Sequence, residues 1–206
     1  MPEHGPRRLR RAHTRPQSLP TGALEDIRFI RTTMERSSSF TAVPGWGMVV
    51  MGMTALYAAW MASRQLSPSA WLIAWLAEAA LAICIGLMAM WRKAEQAGVP
   101  LTSGPAREFM FSFLPSAAAG GILTVALFRL GLSHMLPATW LLLYGAAVTS
   151  AGAFSLKVLP LMGVGFMLTG TVAVIVPAAF HSTLLAVGFG GLHIGFGYWI
   201  ARRYGG

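Results

Sequence analysis

The run over residues 71–91, WLIAWLAEAALAICIGLMAMW, decides what this chain can fold into. It holds one ionisable residue, Glu78, and Arg92 and Lys93 follow it directly. As a helix rising 1.5 Å per residue it covers ~30 Å, the hydrocarbon thickness of a bilayer, with a tryptophan at each boundary and two cations beyond one end. The segment therefore reads as a membrane-spanning helix.

The rest of the chain agrees with that reading. With 55% hydrophobic and 11% charged residues among 206, the sequence is too apolar for an ordinary soluble domain of its length. Six apolar runs stand out, over residues 43–62, 70–91, 109–130, 137–155, 159–176 and 180–201. Only the short stretch over residues 154–158, around Lys157, joins the fourth run to the fifth, so this lysine marks a tight turn at the membrane surface. The expected fold is all-α: a six-transmembrane-helix bundle over residues 43–206, preceded by a basic tail over 1–20 and an amphipathic interfacial helix with its linker over 21–42. In that last segment Ala23, Ile27, Ile30 and Met34 share one helical stripe, with Glu25 and Asp26 suited to the helix start and Arg36 to its end.

Charge sets an orientation. The chain has 16 Lys and Arg against 7 Asp and Glu. If the amino terminus is inside, every one of those cations except Arg64 and Arg129 falls on the inner side, which by the positive-inside rule places both termini in the cytoplasm. Only two of the cations are lysines, and with abundant Ala, Gly and Pro this suits a GC-rich bacterial genome, so the expected location is a bacterial inner membrane. The tail motif RRLRR, with Arg7, Arg8, Arg10 and Arg11, lies too far from the first apolar run to act as a twin-arginine export signal. Attraction to anionic headgroups, about 1 kcal/mol per basic residue, accounts for it without a nucleic acid. Arg92, Lys93, Arg202 and Arg203 fit the same headgroup contact at the inner ends of their spans.

Internal similarity is visible at the outer helix starts. SPSAWLIAWLAEAAL and LPATWLLLYGAAVTS match Pro68 with Pro137, Trp71 with Trp140, Leu72 with Leu141 and Trp75 with Tyr144. Three helical hairpins related by an axis along the membrane normal would give this pattern. So would the general preference for proline and tryptophan at helix starts in the interface.

Few residues can carry chemistry. A carboxyl near the bilayer centre costs about 2.5 to 3.5 kcal/mol on insertion scales and is normally turned away from lipid. Ala74, Glu78, Ala82 and Gly86 recur every four residues as a small-residue stripe, whereas Leu72, Leu76, Ile83 and Leu87 form a lipid-suited face. In GGLHIGFGYWIARR, His193 shares a side with Gly190 and Gly197, while Gly191 and Gly195 mark a second close approach. Glu78 and His193, with the hydroxyls of Thr124 and Thr149, make the expected polar core. The histidines and Cys84 lie at different depths without ligand spacing, so no metal and no cofactor is expected. No nucleophile motif, phosphate loop or zincin pattern is present.

The run LEDIRFIRTTMERSSSFTAVPGWG, the spacing of the spans and the ending GGLHIGFGYWIARR resemble a group of bacterial six-span integral membrane proteins without an established activity. The resemblance implies the fold and carries over no site residues. Three functions stay open. One is a non-catalytic accessory, sensor or scaffold component whose partners are the bilayer and another membrane or cytoplasmic protein. A second is a small proton-coupled transporter using the Glu78 and His193 pair. The third is a membrane enzyme acting on a lipid or quinone through the same pair.

Overall fold

The computed structural model describes residues 41–98 and 101–204, together with Gly22, Asp26, Ile27, Phe29 and Ile30. The chain divides into two units, residues 1–37 and 38–206. In the first, the five described residues are helical, and Ile27, Phe29 and Ile30 are exposed. The tail expected over 1–20, with Arg7, Arg8, Arg10 and Arg11, lies outside the described residues, as does the remainder of the amphipathic segment up to residue 40.

The second unit is a bundle of six helices: α1 (Gly45–Ala62), α2 (Pro68–Ala97), α3 (Gly104–Arg129), α4 (Leu136–Gly152), α5 (Val158–Ile175) and α6 (Ala178–Tyr204). No strand occurs among the described residues. Each helix, α4 together with the 3₁₀ turn Ser133–Met135 before it, is long and apolar enough to cross a membrane. The chain is therefore a multi-pass membrane protein of all-α architecture.

Local chemistry explains the helix ends. Ser67 caps α2, its side chain accepting from the Ala70 N–H at 3.2 Å, and Pro68 takes the first helical position, where its missing N–H costs nothing. Gly98, at φ 63°, closes α2 in the left-handed conformation. Gly131, at φ 74°, does the same for α3, where the Leu132 N–H reaches back to the Leu127 carbonyl at 2.8 Å and the Gly131 N–H to Phe128 at 3.1 Å. α3 continues unbroken through Pro115. Between α4 and α5, Lys157 is exposed on a turn of a few residues, as its charge requires.

Packing follows residue size. The fully buried large side chains, Leu136, Leu141, Phe166, Met162, Leu185 and Ile200, come from α4, α5 and α6. α1 instead buries Gly45, Gly47, Gly52, Ala55, Ala58, Ala59 and Ala62, so its backbone lies close to that of α6. A methyl group added at Gly52 would stand 2.7 Å from the Gly190 carbonyl oxygen, and one at Gly197 2.8 Å from that of Gly45. α4 and α5 approach equally closely through Gly145 and Gly163.

The helices pack in a broken ring. α2 packs on α1, α1 on α6, α6 on α5 and α4, and α4 on α3. α2 and α3, adjacent in sequence, do not form a closely packed pair with each other, and they are the most outward-facing helices of the six. Ile73, Leu76, Ile83 and Leu87 of α2, with Phe111, Leu114, Ile122 and Val125 of α3, turn outward. An apolar exterior of this kind is what a lipid solvent requires.

Two expectations need correction. Leu72, placed by the sequence on the lipid face of α2, is buried, because that helix turns Leu72, Trp75 and Glu78 together toward the bundle. Gly191 and Gly195 are exposed, and a methyl group added at either would meet nothing within 4 Å. The cause is a π-helical turn at Ala186–Leu192 within α6. A wheel drawn at 3.6 residues per turn groups Gly188 with Gly191 and Gly195, but across the π turn only Gly188 of the three packs against a neighbouring helix, while Gly190 and Gly197 pack on the His193 side as expected.

Candidate functional site

Three polar pairs lie among apolar side chains in the bundle. The first joins α1 to α2: the Thr54 hydroxyl lies within hydrogen-bonding distance of both Glu78 Oε1, at 2.8 Å, and the Met51 carbonyl one turn back, at 2.9 Å. Glu78 is 8% exposed, so this contact is its main substitute for water. The second joins α3 to α4, where the Trp140 indole N–H donates to Thr124 Oγ1 at 2.8 Å and the threonine hydroxyl donates to the Gly120 carbonyl at 2.7 Å. The third joins α4 to α6, with the Tyr144 hydroxyl 2.8 Å from His193 Nε2.

Aromatic rings link the second and third of these pairs. Trp71 and Trp140 stack with an interplanar angle of 5° and centroids 5.5 Å apart, and Trp75 lies against both. Trp75 also meets Phe189 at 6.2 Å, and Phe189 meets Tyr144 at 5.2 Å, Phe166 at 5.3 Å and His193 at 6.3 Å. Phe113 continues the row from Tyr144 toward Phe109. Edge-to-face pairs dominate around Tyr144, the arrangement that ring quadrupoles favour. The residues matched between α2 and α4 in the sequence thus meet at one place: Trp71 lies on Trp140, and Trp75 and Tyr144 both touch Phe189.

Two polar atoms in this cluster lack a partner of hydrogen-bonding geometry: the Trp75 indole nitrogen and His193 Nδ1. The Phe189 carbonyl, one turn back from His193, lies only near enough to attract an N–H of the ring. Both residues are buried, at 4% and 5% exposure.

The residues named from sequence are not all drawn together. Glu78 and His193 bond to different neighbours, and no hydrogen bond joins them. Thr124 belongs to the tryptophan end of the row. Thr149 lies apart at the α4–α5 contact, donating to the Gly145 carbonyl at 2.8 Å with Gly163 packed against it. Ala74, Ala82 and Gly86 are half-buried on the Glu78 side of α2, with Gly86 facing Met51. At one end of the bundle the Lys93 amine donates to the Val43 carbonyl at 2.8 Å and to the Tyr204 carbonyl at 3.4 Å, tying three helices together. Arg92, Arg202 and Arg203 are exposed at the corresponding ends of α2 and α6. Thr54, Tyr144 and Phe189 were missed as site residues. Only Tyr144 carried a signal, through its match with Trp75.

Among the described residues no three His, Cys, Asp or Glu side chains gather as metal ligands. No family model, no curated protein and no solved structure matches this chain.

Proposed function

We propose that this protein is a non-catalytic component of a bacterial inner membrane, an accessory, sensor or scaffold subunit whose partners are the bilayer and a second membrane or cytoplasmic protein. Both termini face the cytoplasm in this reading, which rests on the distribution of cations along the sequence. One observation carries the functional part. Glu78 and His193, buried among the described residues of the spans, are answered separately by Thr54 and Tyr144, and neither hydrogen bond reaches the other pair. A proton relay or an acid–base pair needs groups within hydrogen-bond reach or joined by a chain of them. Here each polar group instead fastens one helix to another, as membrane bundles do with isolated hydroxyls and amides.

The test is proton permeability. Protein reconstituted in vesicles with a trapped pH-sensitive dye, under an imposed pH gradient, is expected to leave the decay at the rate of empty vesicles. A faster decay that Glu78→Gln abolishes would overturn the reading in favour of a proton-coupled carrier.

A further inference from the structure

Where α3 begins, a groove of about 360 Å³ opens between its first turns and the turn that follows α4. Gly104, Arg107, Glu108, Phe111, Ser112 and Phe154 line it, and its volume falls within the ~300–1,000 Å³ of small-ligand sites. Arg107 and Glu108 stand near the start of α3, and Phe154 lies just beyond the end of α4, so the groove sits where both spans leave the membrane, at the depth of lipid head groups. Its lining combines a cation and an anion with two large rings. Neither charge is answered within the protein. The Arg107 guanidinium stands over the Phe111 ring, 6.0 Å from its centroid, and no ion pair among the described residues engages it or the Glu108 carboxylate. A guanidinium over a ring keeps its in-plane N–H fork free for an anion.

We propose that this groove binds a phosphoethanolamine lipid, with Arg107 on the phosphate, Glu108 on the primary ammonium, and Phe111 and Phe154 against the first carbons of the acyl chains. The match is one of charge and of donors. Such a lipid carries an anion, a cation with three N–H donors and apolar chains, and the groove presents a cation, a carboxylate acceptor and two rings. A phosphatidylglycerol head group has no ammonium and would leave Glu108 unanswered beside a phosphate. A choline head group has the positive charge without the N–H donors. Gly104 adds to the anion side, because no side chain caps the start of α3, which leaves its first N–H groups for a phosphate oxygen. Ser112, one turn beyond Glu108, lines the same groove with a hydroxyl that can donate to an ester carbonyl of the glycerol. Lys157, exposed on the turn that also carries Phe154, does not line the groove.

This inference goes beyond the proposed function and does not depend on it, since lipid selection is measured apart from proton flux. The experiment is native mass spectrometry of the full chain in detergent, titrated with equal amounts of phosphatidylethanolamine, phosphatidylcholine and phosphatidylglycerol of the same acyl chains. Wild type is expected to retain the ethanolamine lipid about threefold more than either of the others, the size of one solvent-exposed ion pair. Glu108→Gln keeps the shape and removes the charge, so it should erase that preference. Arg107→Gln should lower retention of all three lipids by about threefold. Lys157→Gln, on the neighbouring turn but outside the groove, should change neither. Thermal unfolding is the control for folding. Equal retention of the three lipids by wild type, a preference for phosphatidylglycerol, a preference that Glu108→Gln leaves unaltered, or a loss as large in Lys157→Gln as in Arg107→Gln would each overturn the proposal. Should Arg107→Gln fail to fold, the wild-type ranking and Glu108→Gln decide it alone.

Discussion

Thr54 and Glu78 meet across the α1–α2 contact through a hydroxyl that has one hydrogen and two acceptors, Glu78 Oε1 at 2.8 Å and the Met51 carbonyl at 2.9 Å. Thr124 has the same local arrangement, donating to Gly120, but its cross-helix partner is an indole N–H that brings its own hydrogen. The count closes for Thr54 in the same way if Glu78 is the carboxylic acid and donates to the threonine oxygen. Glutamine offers an N–H donor at nearly the same place. Glu78→Gln is expected to change stability by less than about 1 kcal/mol, whereas Glu78→Ala, which loses the bond and leaves a gap, should cost about 2 kcal/mol. Reversible unfolding in mixed detergent micelles measures both, and equal losses for the two would refute the hydrogen count.

Tyr144 and His193 form a pair whose worth can be isolated. Removal of the hydroxyl in Tyr144→Phe leaves Nε2 buried without its partner, at a cost of about 1 to 3 kcal/mol. His193→Phe strands the tyrosine hydroxyl by the same logic. The double variant strands neither, so its loss should fall short of the sum of the singles by about 1 kcal/mol or more. A double-mutant cycle on unfolding midpoints gives the answer. Strict additivity would mean the 2.8 Å contact contributes nothing.

Glycines divide into two kinds that a helical wheel does not separate. At Gly145 a new methyl group would lie 2.7 Å from the Gly163 carbonyl oxygen and 2.9 Å from the Met167 nitrogen, both backbone atoms that yield only if the helices part. Gly145→Ala should therefore cost about 1 to 3 kcal/mol. At Gly195 nothing lies within 4 Å, and alanine there should be neutral or gain up to about 1 kcal/mol from helix propensity. Thermal unfolding of the two variants side by side tests the contrast.

These three cases also mark what the sequence could reveal. The spans were legible because lipid imposes a length and an apolar composition on each helix, and α1 to α6 fall where the six runs lie. The burial of Glu78 was legible because a carboxyl in hydrocarbon has one favourable side to face. Its partner was not, since Thr54 is one of several hydroxyls spaced for any helix contact. The register of α6 changes at the π turn, which no residue pattern announces, and the exposure of Gly191 and Gly195 was missed with it. Leu72 was misplaced because the stripe of small residues suggested a narrower buried face than one that also takes in Trp75.

Orientation in the membrane can be decided by chemical access. Cys84, the one cysteine, is exposed on α2 within the span, so it is replaced by alanine to give a silent background. Leu66, fully exposed in the turn between α1 and α2, and Thr102, exposed between α2 and α3, lie at opposite ends of α2. In the proposed orientation the second turn, flanked by Arg92, Lys93 and Arg107, lies in the cytoplasm, and the first, with only Arg64 near it, lies outside. In intact spheroplasts a membrane-impermeant maleimide should therefore label Leu66→Cys and leave Thr102→Cys untouched until the membrane is opened. The reverse pattern would mean that α1 runs outside to inside and that the cations do not set the topology. Labelling of both in sealed spheroplasts would mean that α2 does not cross the bilayer at all.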